Sequence, residues 1–131
     1  MVEKFTVSTA VRMKMVDVTE QVRDAVKKSG VRSGICYIQV PHTSAAVVVN
    51  EGHDPAVAGD LMNHPDKLVP WGAAYEHQTG NSAAHIKASI VGPTAEVFVE
   101  DGDLLLGSFQ GVFLCEFDGP RERELWVKVL G

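Results

Sequence analysis

Residues 4–15, KFTVSTAVRMKM, alternate with a period of two. Phe5, Val7, Thr9, Val11, Met13 and Met15 fall on one face, and Lys4, Thr6, Ser8, Arg12 and Lys14 on the other, which predicts one half-buried strand. The period changes in DVTEQVRDAVKKSG, where Val18, Val22, Ala25 and Val26 form the stripe of an amphipathic helix. Asp17, with Glu20 three residues on, marks its start, and Gly30 marks its end. SGICYIQVPH and SAAVVVNE read as strands, with His42, Thr43 and Ser44 in the turn between them. DPAVAGDLMNH reads as a helix opened by Asp54 and Pro55, with Val57, Ala58 and Leu61 facing inward. KLVPWGAAYEHQTG has no period and reads as a long loop. NSAAHIKASIVG fits a short helix from Asn81 to Gly92, although HIKASIV also fits a strand. Residues 95–130 read as three strands, with turns at Asp101-Gly102 and Asp118-Gly119.

Strands and helices do not alternate regularly. The strand-rich C-terminal half therefore predicts an α+β fold: a mainly antiparallel sheet packed with two or three helices. At 131 residues the chain fits a single domain, 1–131. One strand departs from simple alternation. LLLGSFQGVFLCEF is apolar on both faces apart from Gln110 and Glu116, which leads us to expect that a second subunit covers one side. The glycines at 107 and 111 allow another backbone to come close.

Composition narrows the function classes. The net charge is −5 and the basic residues are scattered, so no broad basic field is available for nucleic acid. No apolar run is long enough to span a membrane, and MVEKFTVST lacks the form of a signal peptide, so a cytoplasmic protein is expected. Cys36 and Cys115 both lie in apolar runs and read as buried free thiols.

The polar residues hold the candidate chemistry. Taken singly, His42 reads as a hydrogen-bonded structural histidine, and His77 and His85 read as surface histidines. Taken together, three imidazoles would leave one coordination position open, the arrangement of catalytic zinc. Glu51 ends an apolar strand and fits a general base, an orienting partner for a ligand histidine, or a plain strand-end carboxylate. Gly80-Asn81 opens a candidate helix whose free N–H groups suit an anion, although capping needs the same residues. In CEFDGPRER, Arg121 suits a two-point grip on phosphate or carboxylate, whereas Arg123 between Glu122 and Glu124 looks like a solvated edge. Glu116 needs a partner if it is buried, and Gln110, on the same face six residues earlier, could line one pocket with it.

PHTSAA, NE followed by DP, H before GN, AH, DGDLLLGSFQG and CEFDGPRER occur here in the order found in the YjbQ family, which the chain resembles over nearly its full length. Members are labelled secondary thiamine-phosphate synthases. The resemblance implies a compact α+β subunit, usually in a homotrimer, with a histidine-rich pocket near the subunit boundary. It places the family's metal ligands on His42, His77 and His85. Glu51, Asn81 and Arg121 then become catalytic candidates, and Gly80, Gln110 and Glu116 become ligand-binding candidates. The implied cofactor is a divalent metal, zinc or, if phosphate is transferred, magnesium. The implied function is a transferase acting on phosphorylated small molecules; a metal-dependent hydrolase and a non-catalytic binding trimer are the alternatives. Phe109 stands where the family usually has Trp, and Phe98 where it often has Pro.

Overall fold

The computed structural model describes residues 1–76 and 80–131. Its strands form two sheets, not one, and every pairing is antiparallel. The larger sheet runs β1 (Glu3–Ser8), β8 (Glu122–Leu130), β3 (Gly34–Gln39), β5 (Thr94–Glu100) and the short β6 (Asp103–Leu104). The smaller runs β2 (Lys14–Asp17), β7 (Gln110–Glu116) and β4 (Ala45–Glu51). Among the described residues three helices complete the fold: α1 (Thr19–Ser29), α2 (Pro55–Leu68) and α3 (Ser82–Val91).

The alternating N-terminal run is split between the sheets. β1 ends at Ser8 and β2 begins at Lys14. Between them the chain turns against the β7–β8 connection: Thr9 N–H donates to Arg121 O at 2.9 Å, and Gly119 N–H donates to Arg12 O at 3.0 Å. Period-two patterning fixes which face a residue takes but not which sheet it joins, so one predicted strand becomes two. α1 starts one residue later than its cap signal: the Asp17 carboxylate accepts from Thr19 N–H at 2.9 Å, and Val18 is fully buried. Gly30 closes the helix at φ 71°. α2 keeps its Asp54 cap but runs on through Pro65 to Leu68, into the stretch expected to be loop. The 82–91 segment resolves as helix. At the β5–β6 hairpin Asp101 and Gly102 take positive φ, as a tight two-residue turn requires.

The main core lies between the inner sheet faces and α1, around Val22, Val26, Ile38, Val99, Leu114 and Leu125. A second core fills the other face of the small sheet, where Phe113, Cys115 and Phe117 pack with Ala84 and Ala88 of α3, and with Leu61 and Met62 of α2 at its edge. Both faces of β7 are therefore covered by the chain's own elements. Its two-sided apolar pattern no longer argues for a second subunit. The outer face of the large sheet is different. Ile35 is paired with Phe98 on one side and Leu130 on the other, and Phe98 and Leu130 are 64% and 49% exposed.

Three connections pass from one sheet to the other at the same end of the molecule. They are 9–13 (β1 to β2), 40–44 (β3 to β4) and 117–121 (β7 to β8). The register shows why they gather: the end of β1 faces the start of β8 (Ser8 with Glu122), and the end of β7 faces the starts of β2 and β4 (Glu116 with Lys14 and Ala45).

Candidate functional site

A buried ion pair anchors this seam. Glu116 is fully buried and Arg123 is nearly so. Arg123 Nε donates to Glu116 Oε1 at 2.8 Å, and its Nη2 forms a second, shorter bond to Oε2. The same Nη2 donates to Ser44 Oγ at 3.0 Å. Thr9 Oγ1 donates to Glu116 Oε1 at 2.7 Å, and Asp118 N–H donates to Oε2 at 3.0 Å. Burial pushes the Glu116 carboxyl upward, but the hydrogen bonds from Arg123, Thr9 and Asp118 outweigh it and leave the pKa lowered. Both oxygens of Glu116 thus serve the chain itself. Arg123 is not the solvated edge the sequence suggested. On β8 it alternates with Glu122 and Glu124 and shares the inward face with Leu125 and Val127, a period-two signal that identifies it.

Onto this frame the fold hangs two of the three candidate histidines. His42, in the 40–44 crossing, accepts a hydrogen bond at Nε2 from Glu124 N–H at 2.8 Å. His85, in the first turn of α3, has Nδ1 2.9 Å from Thr43 O. A carbonyl can only accept, so His85 carries a proton on Nδ1. The two imidazoles line one cleft of about 260 Å³, with Ala45, Ala88, Ser89 and Pro93 among its walls. Burial lowers the His42 pKa; the positive charges of Arg123 and Arg121 add to this, and the carboxylates of Glu124 and Glu116 oppose it. His77 lies outside the described residues.

Asn81 and Arg121 meet at the same end through Asp118. Asn81 Nδ2 donates to Asp118 Oδ2 at 2.9 Å; Arg121 donates from Nη2 to that oxygen at 2.9 Å and from Nε to Asp118 O at 2.8 Å. Burial raises the Asp118 pKa, and the bonds from Asn81 and Arg121 overcome it and lower the net value. Asn81 sits at the N-cap position of α3 but spends its amide on Asp118 rather than on the helix. Gly80 precedes it at φ 82° and is exposed.

Glu51 and Gln110 lie elsewhere. They pair with each other at the far end of the small sheet. β4 leads away from the histidine turn, so seven residues of strand, roughly 20 Å, separate Glu51 from Ser44. Within one chain Glu51 does not face His42 or His85. Its Oε1 instead accepts from Asp54 N–H at 3.3 Å. The pocket expected to join Gln110 with Glu116 does not form, because a full strand length divides them too. Gln110 Oε1 accepts from Gly107 N–H at 2.8 Å, beside a separate polar cleft containing Asp17, Arg23 and His53.

Sequence reasoning missed Lys87. Its side chain is wholly buried, and Nζ donates to Asp66 Oδ1 of α2 at 2.7 Å. The signal was present: Ala83, Ala84, Lys87 and Ala88 form the inward stripe of α3. Both cysteines are free and buried, and burial raises their thiols to about 11 for Cys36 and about 12 for Cys115.

Comparison with known proteins agrees with this fold. Residues 3–131 match the profile of the family described as UPF0047 protein YjbQ-like. A UPF0047 protein of Methanocaldococcus jannaschii is 44% identical over 131 residues, covering 100% of this chain and 95% of the relative. The Bacillus subtilis UPF0047 protein YugU is 40% identical, with 100% of both chains covered. A crystal structure of a YjbQ/UPF0047 family protein from Clostridium acetobutylicum superposes with a TM-score of 0.96 at 40% identity, covering 98% of this chain and 99% of that one. A YbjQ-like protein of unknown function from Sulfolobus solfataricus gives 0.95 at 36% identity, covering 100% of this chain and 96% of that one.

Proposed function

We propose a transferase acting on phosphorylated small molecules for this chain, which belongs to the YjbQ-like UPF0047 family. The observation that carries the reading is the gathering of two imidazoles and the Arg121 guanidinium at the seam where three crossings meet. Joining a pyrimidine diphosphate to a thiazole phosphate breaks a carbon–oxygen bond and releases pyrophosphate. Charge grows on the departing phosphoryl oxygens, and a cation with oriented N–H donors stabilises it. Arg121, half-exposed and braced by Asp118, would supply that cation.

Among the described residues no group of three or more His, Cys, Asp or Glu side chains is arranged to hold a metal ion. His85 fits a ligand role, because an Nδ1–H held by a backbone carbonyl fixes the ring's orientation, the support that ligating histidines commonly have. His42 does not fit in this arrangement: its Nε2 lone pair is already given to Glu124 N–H. Imidazole ligation favours zinc over magnesium, which prefers oxygen. A zinc ion at His85 would supply Lewis-acid polarisation of a phosphoryl oxygen. That carbonyl support of the His85 ring is also the observation favouring the second reading, a metal-dependent hydrolase.

Incubation with the pyrimidine diphosphate and thiazole phosphate precursors of thiamine phosphate tests the proposal. Pyrophosphate release that requires both substrates supports it. Metal-dependent hydrolysis of a single phosphate ester, with no coupling, replaces it with the second reading. We further propose a cytoplasmic homotrimer, supported by the exposed apolar patch of Phe98 and Leu130 beside Ile35 on the outer face of the large sheet; no helix among the described residues is long and apolar enough to cross a membrane.

A further inference from the structure

We infer that His42 is a neutral hydrogen-bond donor, contacting an anionic ligand oxygen through Nδ1–H and standing outside any metal shell. The inference deepens the phosphorylated-ligand reading and rests on it for the identity of the anion. The geometry is specific. Glu124 N–H is a fixed backbone donor 2.8 Å from His42 Nε2, so Nε2 must present a lone pair. A cationic imidazolium would set two N–H groups against each other at that distance, and so would the Nε2–H tautomer. The single mobile proton of the ring therefore sits on Nδ1.

The donor is held in place on the partner's side as well. Glu124 follows Arg123, whose guanidinium is gripped by buried Glu116 and by Ser44, two residues beyond His42. The β8 backbone and the His42 turn are thus tied to each other twice, once by the imidazole and once by the ion pair. Burial and the nearby arginines favour the neutral ring in the same sense. A neutral imidazole kept from protonation is a recognised electrophilic donor to an oxyanion. Metal ligation through Nδ1 would require stripping that proton while Nε2 still accepts from Glu124, which is imidazolate chemistry. The two histidines of the cleft consequently differ: His85 gives its Nδ1–H to the Thr43 carbonyl, and His42 keeps its Nδ1–H for a ligand.

Long-range proton–nitrogen NMR spectra of the protein labelled with ¹⁵N-histidine, at neutral pH and without ligand, read the tautomer directly. The expected pattern for His42 is neutral with Nδ1 protonated. An Nε2–H or doubly protonated ring overturns the inference. Inorganic pyrophosphate is then added. A shift of the His42 Nδ1 resonance supports the contact; pyrophosphate binding, measured by calorimetry, with that resonance unmoved overturns it. If calorimetry detects no pyrophosphate binding, the phosphorylated-ligand reading and the His42 contact fall together, and the unliganded spectrum still decides the tautomer. In the variant His42→Gln, zinc affinity is expected to stay within about twofold while pyrophosphate binding weakens roughly tenfold. A zinc affinity loss on the order of tenfold or more overturns the exclusion of His42 from the metal shell.

Discussion

Glu116 and Arg123 form a two-bond ion pair across the β7–β8 turn, with almost no solvent contact on either side. Removing one partner strands the other charge in the interior. Glu116→Ala should therefore cost about 3–5 kcal/mol in urea unfolding, whereas the paired change Glu116→Leu with Arg123→Leu should cost far less than the sum of the singles. Additive losses would show that the pair is not a unit.

This seam and the Lys87–Asp66 pair together shape the fold's response to acid. Glu116, Asp118 and Asp66 all have folded pKa values below the ordinary carboxyl range, Asp66 chiefly through its bond from Lys87. The unfolded chain then binds more protons than the folded one as pH drops through about 4. Their stabilisation is complete above that range and is lost as pH falls toward the lowered values. Urea midpoints should slope gently down between about pH 7 and 5, because the lowered His42 pKa lets the unfolded chain take up a proton first, and then decline steeply as the carboxylates protonate; a flat profile to pH 3 would contradict this.

Lys87 and Asp66 predict an asymmetry. The lysine is fully buried and the aspartate is 37% exposed. Asp66→Ala leaves an ammonium in the second core and should cost about 3 kcal/mol or more. Lys87→Met keeps the volume and leaves a carboxylate that water can reach, so its cost should stay under about 1.5 kcal/mol. Equal losses in thermal unfolding would refute the argument.

Arg121→Ala separates binding from folding. The guanidinium is half-exposed, so stability should change by less than about 1 kcal/mol. Pyrophosphate affinity should fall by roughly 10–100-fold, as expected for loss of a charged donor. Calorimetry on the folded variant measures both halves of the claim.

Phe98→Lys tests the proposed trimer. The change puts a charge on the outer face of the large sheet beside Ile35. Sedimentation should show the wild type as a trimer at micromolar concentration and the variant shifted toward monomer. A monomeric wild type would sink the proposal.

Much of the fold was legible because it rests on short-range signals. The period change at Asp17, the Asp54-Pro55 start, the Gly30 stop and the Asp101-Gly102 turn all act within a few residues. The split of the first strand was not legible, because the choice of sheet depends on partners more than 100 residues away, such as Arg121 for Thr9. The site divides the same way. His42 and His85 line one cleft, and Asn81 and Arg121 meet at Asp118 at the same end of the molecule, since their motifs sit at connections that share that end. Glu51 was misplaced relative to the histidine turn because a strand's direction, invisible in its composition, decides which end its last residue reaches. Arg123 and Lys87 were hidden by residue type: a charge on an inward stripe reads as surface until its alternation is followed.

The three crossings also constrain how this protein can vary. Surface loops ordinarily absorb inserted residues with little effect. Here the 9–13 segment lies against Gly119, where an added side-chain carbon would come within 2.9 Å of Thr9 Oγ1 and of Glu116 Cγ. Glu116 holds Arg123, Arg123 holds Ser44, and two residues before Ser44 stands His42. Lengthening any one of these connections displaces the other two. The segments that look most free to drift are bound into a single inheritance, to be altered together or kept as they are.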